Sequence, residues 1–265
     1  MTRLPLGKRF KHPSGYDPSV LYPVERTLQP GVFGYDLWRA YELSWLNEKG
    51  RPMAGILEMA YDAGSRRIVE SKSLKLYLSG LAWERFPSAG RLEAVIARDV
   101  GAIVEPGWID VRITQPDGFA AFLPLVGPKA APLDTLDVEM QDFDLDPALL
   151  STRQDVVEEA LYSDLLRTVC PITSQPDWAT VLVRYKGRAI ERAGLLRYLC
   201  SHRSHAGFAE DVCSHIYRDI AGRCRPETLS VTCFYTRRGG IDITAHRCGV
   251  RVTARDVERT RLVRQ

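Results

Sequence analysis

Apolar residues along this chain recur in two rhythms, every second position or every third and fourth. The runs in "YELSWLNEKGRPMAGILEMAYD" (41–62) flank "NEKGRP", a turn-rich hexapeptide, and predict a β-hairpin. In "IVESKSLKLYLSGLAWERF" (68–86), Leu74, Tyr77, Leu78 and Leu81 recur at helical spacing. "SAGRLEAVIARDVGA" (88–102) predicts a second helix with Ser88 at its start. "GWIDVRITQPDGFAAFLPL" (107–125) predicts two strands around "QPDG". The same order returns later. "ATVLVRYKGRAI" (179–190) reads as strand and turn, "IERAGLLRYLCSH" and "GFAEDVCSHIYRDIAG" as two helices, and "ETLSVTCFYTRRGGIDITAHRC" (227–248) as two strands around "RRGG". "RQDVVEEALYSDLLRTV" (153–169) predicts a helix leading to Cys170. Each half thus reads as strands, two helices, strands. The stretch between them, roughly 115–150, has no clear period and reads as linker and irregular structure.

Composition narrows the class without naming a function. A chain of 265 residues allows one large domain or two halves. Its net charge of +3 is too small to argue for a nucleic-acid or membrane partner. No apolar run approaches the ~20 residues needed to span a bilayer. The first residues, "MTRLPLGKRFKHPSGYDPS", lack the apolar core of a signal peptide, so the expected location is cytoplasmic. Six cysteines, at 170, 200, 213, 224, 233 and 248, form no CxxC pair and no zinc-ligand spacing, so reduced thiols and no metal are expected.

Four segments carry candidate chemistry, each beside a plainer reading. In "CPITSQPDW", Cys170 and Asp177 are either a packed thiol near a turn or a nucleophile with its acid. In "VESKSLKLYL", Glu70 and Ser71 either cap a helix or help form a phosphate site with Lys72 and Lys75, which share a helix face. In "YTRRGGIDI", Arg237 and Arg238 are either a hairpin tip or guanidinium groups presented to a phosphate. In "SHRSHAGFAEDVC", Glu210 either caps a helix or reads the donor edge of a heterocycle, with His205 near it. A GxGxxG fingerprint and a Walker P-loop are both absent.

Taken together, "LGK" near the start, "YELSWLN", "VESKSLKLYL", "CPITSQPDW", "LLRYLCSHR", "YTRRGG" and the terminal "TRLVRQ" resemble the NADPH-dependent 7-cyano-7-deazaguanine reductases in their long, two-module form. The resemblance implies an α+β fold of tandem tunnelling-fold modules, each an antiparallel sheet with two helices on one face. On this chain the modules are expected at 1–125 and 151–265, joined by a linker at 126–150. It implies reduction of the nitrile of 7-cyano-7-deazaguanine to the amine of 7-aminomethyl-7-deazaguanine, on the route to queuosine in tRNA, with two NADPH consumed per turnover and no metal. Cys170 would be the nucleophile that forms a thioimide, and Asp177 the acid. Val69, Glu70, Ser71, Ala209 and Glu210 would hold the deazapurine, and Ser71, Lys72, Lys75, Arg238 and Gly239 the NADPH. A homodimer is implied, with no nucleic acid bound directly and no membrane. Where the family has Phe-His-Glu, this chain has Phe208-Ala209-Glu210, which removes a proton-handling imidazole. "LSGLAWERF" and "ITAHR" also depart from the family pattern. The alternatives from other classes are a deazapurine-binding or thioimide-trapping protein without efficient turnover, and a purine or pterin hydrolase on the same fold.

Overall fold

A computed structural model describes residues 15–122, 124–125, 127–140 and 143–265; the "LGK" motif lies outside them. The elements are β1 (Pro23–Glu25), β2 (Phe33–Leu46), β3 (Pro52–Asp62), β4 (Arg67–Val69), α1 (Ser71–Leu81), α2 (Ala89–Val104) and β5 (Ile109–Thr114), followed by β6 (Ala131–Pro132), β7 (Thr152–Val169), β8 (Pro176–Ile190), α3 (Arg192–Ser201), α4 (Ala209–Cys224), β9 (Thr228–Tyr235) and β10 (Ile241–Cys248). The fold is α+β. Eight strands form one mixed sheet in the order β5-β3-β2-β10-β9-β8-β7-β6, antiparallel except for the β6–β7 pair. The strands β1 and β4 pair separately.

One face of the sheet carries the helices. Leu74, Tyr77, Leu78 and Leu81 of α1 are buried with Trp38, Leu57 and Met59 of β2 and β3, as their helical spacing predicts; each such burial contributes roughly 1.5–3 kcal/mol. Leu195, Leu199, Val212 and Ile216 of α3 and α4 are buried against Val181, Val183 and Val231 of β8 and β9. The two helix pairs are fastened alike. Tyr77 donates to Asp99 (2.7 Å) and Tyr198 to Asp219 (2.8 Å), and each aspartate also pairs with the arginine that precedes it. Glu70 caps α1 through the Lys72 and Ser73 N–H groups, and Glu191 caps α3 through those of Ala193 and Gly194. The terminal segment crosses the other face. There the buried Arg39 pairs with Glu58 and donates to the carbonyls of Arg259 and Thr260.

The 47–52 hairpin, all four helices, the Ser88 cap and the "RRGG" hairpin stand where the sequence places them. Three expectations do not. Residues 153–169 are strand, not helix. β7 pairs along β8, and a one-residue bulge between Ser163 and Leu166 shifts its phase. Leu161 and Leu166 therefore both face the core although an odd number of residues apart, which hides the strand's two-residue period. Leu165, which a helix would have buried, is exposed. Lys186–Gly187 is not a turn, because β8 runs on to Ile190. Gly187, with φ of +153°, lets the backbone of Pro226 approach, and a Cβ there would lie 2.9 Å from the Pro226 Cα. Among the described residues no second strand follows "QPDG". Pro116–Phe122 is a 3-10 helix, so β5 remains the sheet's edge, and Glu93 accepts its Ile113 N–H (2.6 Å). Within 126–150, Leu133 and Leu150 are buried in the α3/α4 core.

The middle of the helix-bearing face is held by charge. Asp36 of β2 lies between Arg247 of β10 (2.8 Å) and Arg26 (2.6 Å), all three side chains almost wholly buried. Burial alone would push the Asp36 carboxyl up, but the two guanidinium groups outweigh it and hold it below the usual carboxylate range. Arg247 also donates to the Glu210 carbonyl (3.0 Å) and the Ser214 hydroxyl (2.8 Å), tying α4 to the sheet. Removing one member of such a cluster leaves buried charge uncompensated. Asp36→Ala is therefore expected to lose about 3–5 kcal/mol of stability, read as a shifted denaturant midpoint in equilibrium unfolding.

Candidate active site

The two helix pairs leave a gap over β2 and β10, and a cleft of about 340 Å³ occupies it. Trp38, Ile241 and Ile243 form its apolar floor, the starts of α1 and α4 face each other across it, and the β7–β8 and β9–β10 turns close its end.

The N-terminal half contributes Val69, Glu70, Ser71, Lys72 and Lys75 to the cleft. The plain reading of Glu70 is realised, since both its oxygens cap α1, yet its carboxylate also lies in the cleft wall. Lys75 is engaged with the Gly239 carbonyl (2.5 Å) and Glu42 (3.3 Å). The Lys72 ammonium has no partner among the described residues.

The C-terminal half contributes Cys170, Asp177, Ala209, Glu210, Arg238 and Gly239. Cys170 follows the last residue of β7, and its N–H donates to the Gln175 carbonyl (2.9 Å) across a tight turn. Thr168 and Asp177 are cross-strand partners. Cys170, two residues beyond Thr168, therefore lies on the same face of the hairpin as Asp177. The thiol is partly exposed. Gly239 and Gly240, at φ +59° and +81°, make the tight tip that carries Arg238 back over the β7–β8 turn. The Arg238 guanidinium, expected at the cofactor, has partners within the protein. It pairs with Asp177 and donates to the Gln175 amide oxygen.

Ala209 opens α4, and Glu210 follows in the first turn, almost fully buried with its Oε1 unpartnered. Burial pushes the Glu210 carboxyl up, to about 8, and the Asp36 carboxylate adds to the rise. A buried, half-satisfied carboxyl at the end of a cleft is a ready partner for the N–H edge of a heterocycle. His205 stands behind Gly207, its ring edge-on to those of His202 and His215.

Asp36, Arg26, Arg247 and Gln175 were not singled out from the sequence. Asp36 and Arg247 left a signal there. They occupy the same alternate positions as the inward-facing Trp38 and Ala245, where an apolar residue is expected.

Residues 12–113 match the family described as nitrile reductase, 7-cyano-7-deazaguanine-reductase N-term, and residues 176–252 match the family described as QueF-like protein. Curated relatives named NADPH-dependent 7-cyano-7-deazaguanine reductase are similar over nearly the whole chain. The protein of Azoarcus sp. (strain BH72) is 43% identical over 93% of this chain and 91% of its own. That of Desulfotalea psychrophila is 41% identical over 92% of each. That of Burkholderia multivorans is 42% identical over 97% of each.

The Glu210 shift has a thermodynamic sign. Unfolded, the carboxyl loses its proton near 4.5; folded, it keeps it to about 8. Its contribution to folding is thus fully present below pH 4.5 and drains away as pH rises to 8. Relative to Glu210→Gln, the unaltered protein is expected to lose stability between pH 5.5 and 8.5. Denaturant midpoints of both proteins at the two pH values check this.

Proposed function

Because the chain belongs to the 7-cyano-7-deazaguanine nitrile reductase family, we propose that it is an NADPH-dependent oxidoreductase that converts the nitrile of 7-cyano-7-deazaguanine to the primary amine. The observation that carries this reading is the single cleft in which Glu70, Cys170, Asp177 and Glu210 meet, from opposite halves of the chain. The apolar floor suits the face of a planar ring, and Glu70 and Glu210 suit its amino and ring N–H donors.

In the proposed first step the Cys170 sulfur bonds to the nitrile carbon and one π bond of the nitrile opens. The thiol proton reaches the nitrogen through Asp177, giving a neutral thioimide. NADPH, as co-substrate, supplies the hydride for each of two reductions. Lys72 at the first turn of α1, a cation facing the cleft without a carboxylate partner, fits a cofactor phosphate. Ala209 offers no proton at the place where the family has an imidazole.

We read the two halves as two tunnelling-fold modules, supported by their matched helix pairs. The expected homodimer is supported by the sheet's open edges, β5 and the part of β7 beyond the short β6. No helix among the described residues is long and apolar enough to cross a membrane.

The test is intact-protein mass spectrometry with 7-cyano-7-deazaguanine, with and without NADPH. A covalent adduct is expected without NADPH and is expected to disappear with it. Cys170→Ala should abolish adduct and turnover alike while leaving the thermal midpoint within a few degrees; an adduct persisting in that variant would refute the assignment. A second expectation concerns Ala209. Thioimide formation needs one proton, which Asp177 can relay, whereas reduction needs more. Restoring the imidazole by Ala209→His is expected to raise the single-turnover reduction rate by ~10²-fold, in line with general acid–base groups, and to change the adduct rate far less. Equal reduction rates in the two proteins would show the imidazole dispensable here.

A further inference from the structure

Arg238 sits beside Asp177 at the end of the cleft. Its backbone is fixed, since Arg238 N–H donates to the Ile241 carbonyl (2.9 Å) and Ile241 N–H returns a bond to Arg238 (3.2 Å). Lys75, from the other half of the chain, holds the adjoining Gly239 carbonyl. From that anchored tip one guanidinium nitrogen donates to Asp177 Oδ1 and the other to Gln175 Oε1. Gln175 and Asp177 are alternate residues leading into β8, so they lie on one face, and the planar fork spans both. Gln175, Asp177 and Arg238 all line the cleft beside Cys170.

Resting on the function proposed above, we infer that Arg238 is a positioning residue for Asp177. Its guanidinium, braced by Gln175, fixes the carboxylate over the path from the Cys170 thiol to the nitrile nitrogen. In that step the S–H bond breaks, the S–C bond forms, and the proton passes through Asp177 to nitrogen, with no net change at the carboxylate. A carboxylate free to turn about its side-chain torsions spends little time on that path. A planar guanidinium holding one oxygen leaves the other to work.

Adduct formation needs no NADPH, and this separates the inference from a cofactor-binding role. The full chain is mixed with 7-cyano-7-deazaguanine in the absence of any nicotinamide cofactor, and the Cys170 adduct is timed by quenched-flow mass spectrometry. Arg238→Gln is expected to slow adduct formation at least ~10-fold, as misplacement of a reacting group does. Arg238→Lys, which keeps the charge but not the fork, is expected to fall between. In an Asp177→Asn background, Arg238→Gln is expected to change the rate less than about 2-fold, because residues acting as a unit are not additive. Should Arg238→Gln prevent folding, Arg238→Lys completes the same cycle. Wild-type adduct rates in the Arg238 variants, with only the KM for NADPH raised, would overturn the inference in favour of a cofactor role. Equal slowing with and without Asp177 would overturn it in favour of a general structural role. A wild-type chain that forms no adduct at all would overturn the underlying function, and this inference with it.

Discussion

Asp36, clasped between Arg26 and Arg247, is the constraint around which the molecule is arranged. A buried ion cluster adds little net stability over a well-packed apolar one, because desolvation consumes most of the Coulomb gain. What it fixes here is relative position. Arg26 follows the first short strand, Asp36 lies on β2, Arg247 on β10, and Arg247 reaches the Glu210 carbonyl at the first turn of α4. The cluster therefore sets how the β2–β10 seam and the start of α4 meet, and the cleft lies over that seam. It also bears on the charge of the cleft. Burial raises the proton affinity of Glu210, and the Asp36 carboxylate beneath it adds to the rise, while the two guanidinium groups hold Asp36 itself low, so the two acids are pushed in opposite directions.

Much of this was legible in the sequence, and the parts that were not share a cause. The helices were readable because each has an apolar face, and α1, α2 and α3 also start at a capping residue, Glu70, Ser88 and Glu191. β7 was not, because a bulge breaks its two-residue period and leaves its core leucines an odd number of positions apart. Gly187 looked like a turn because sequence cannot distinguish a glycine that reverses the chain from one that admits a neighbouring backbone.

The cleft residues were legible through motif resemblance, but their partners were not. "ESKSLK" and "RRGG" name cations; nothing in them says that Lys75 is held by the Gly239 carbonyl and Glu42 or that Arg238 leans on Asp177. Those pairings join residues up to 164 positions apart and exist only once both halves are packed. The same holds for the likeness of the halves. Glu70, Leu74, Tyr77 and Leu78 match Glu191, Leu195, Tyr198 and Leu199 in type and spacing, a similarity evident once the two tyrosines are seen bonding to Asp99 and Asp219.

That likeness bears on how the two glutamates can change over generations. Glu191 has one duty, to cap a helix. Glu70 has that duty and a place in the cleft wall as well, so substitutions at Glu70 answer to two selective pressures and those at Glu191 to one. The chain thus carries its own reference site. Whatever a drifting population tolerates at Glu191 measures the tolerance of the cap alone, and any narrower range at Glu70 would measure what its place in the cleft wall adds.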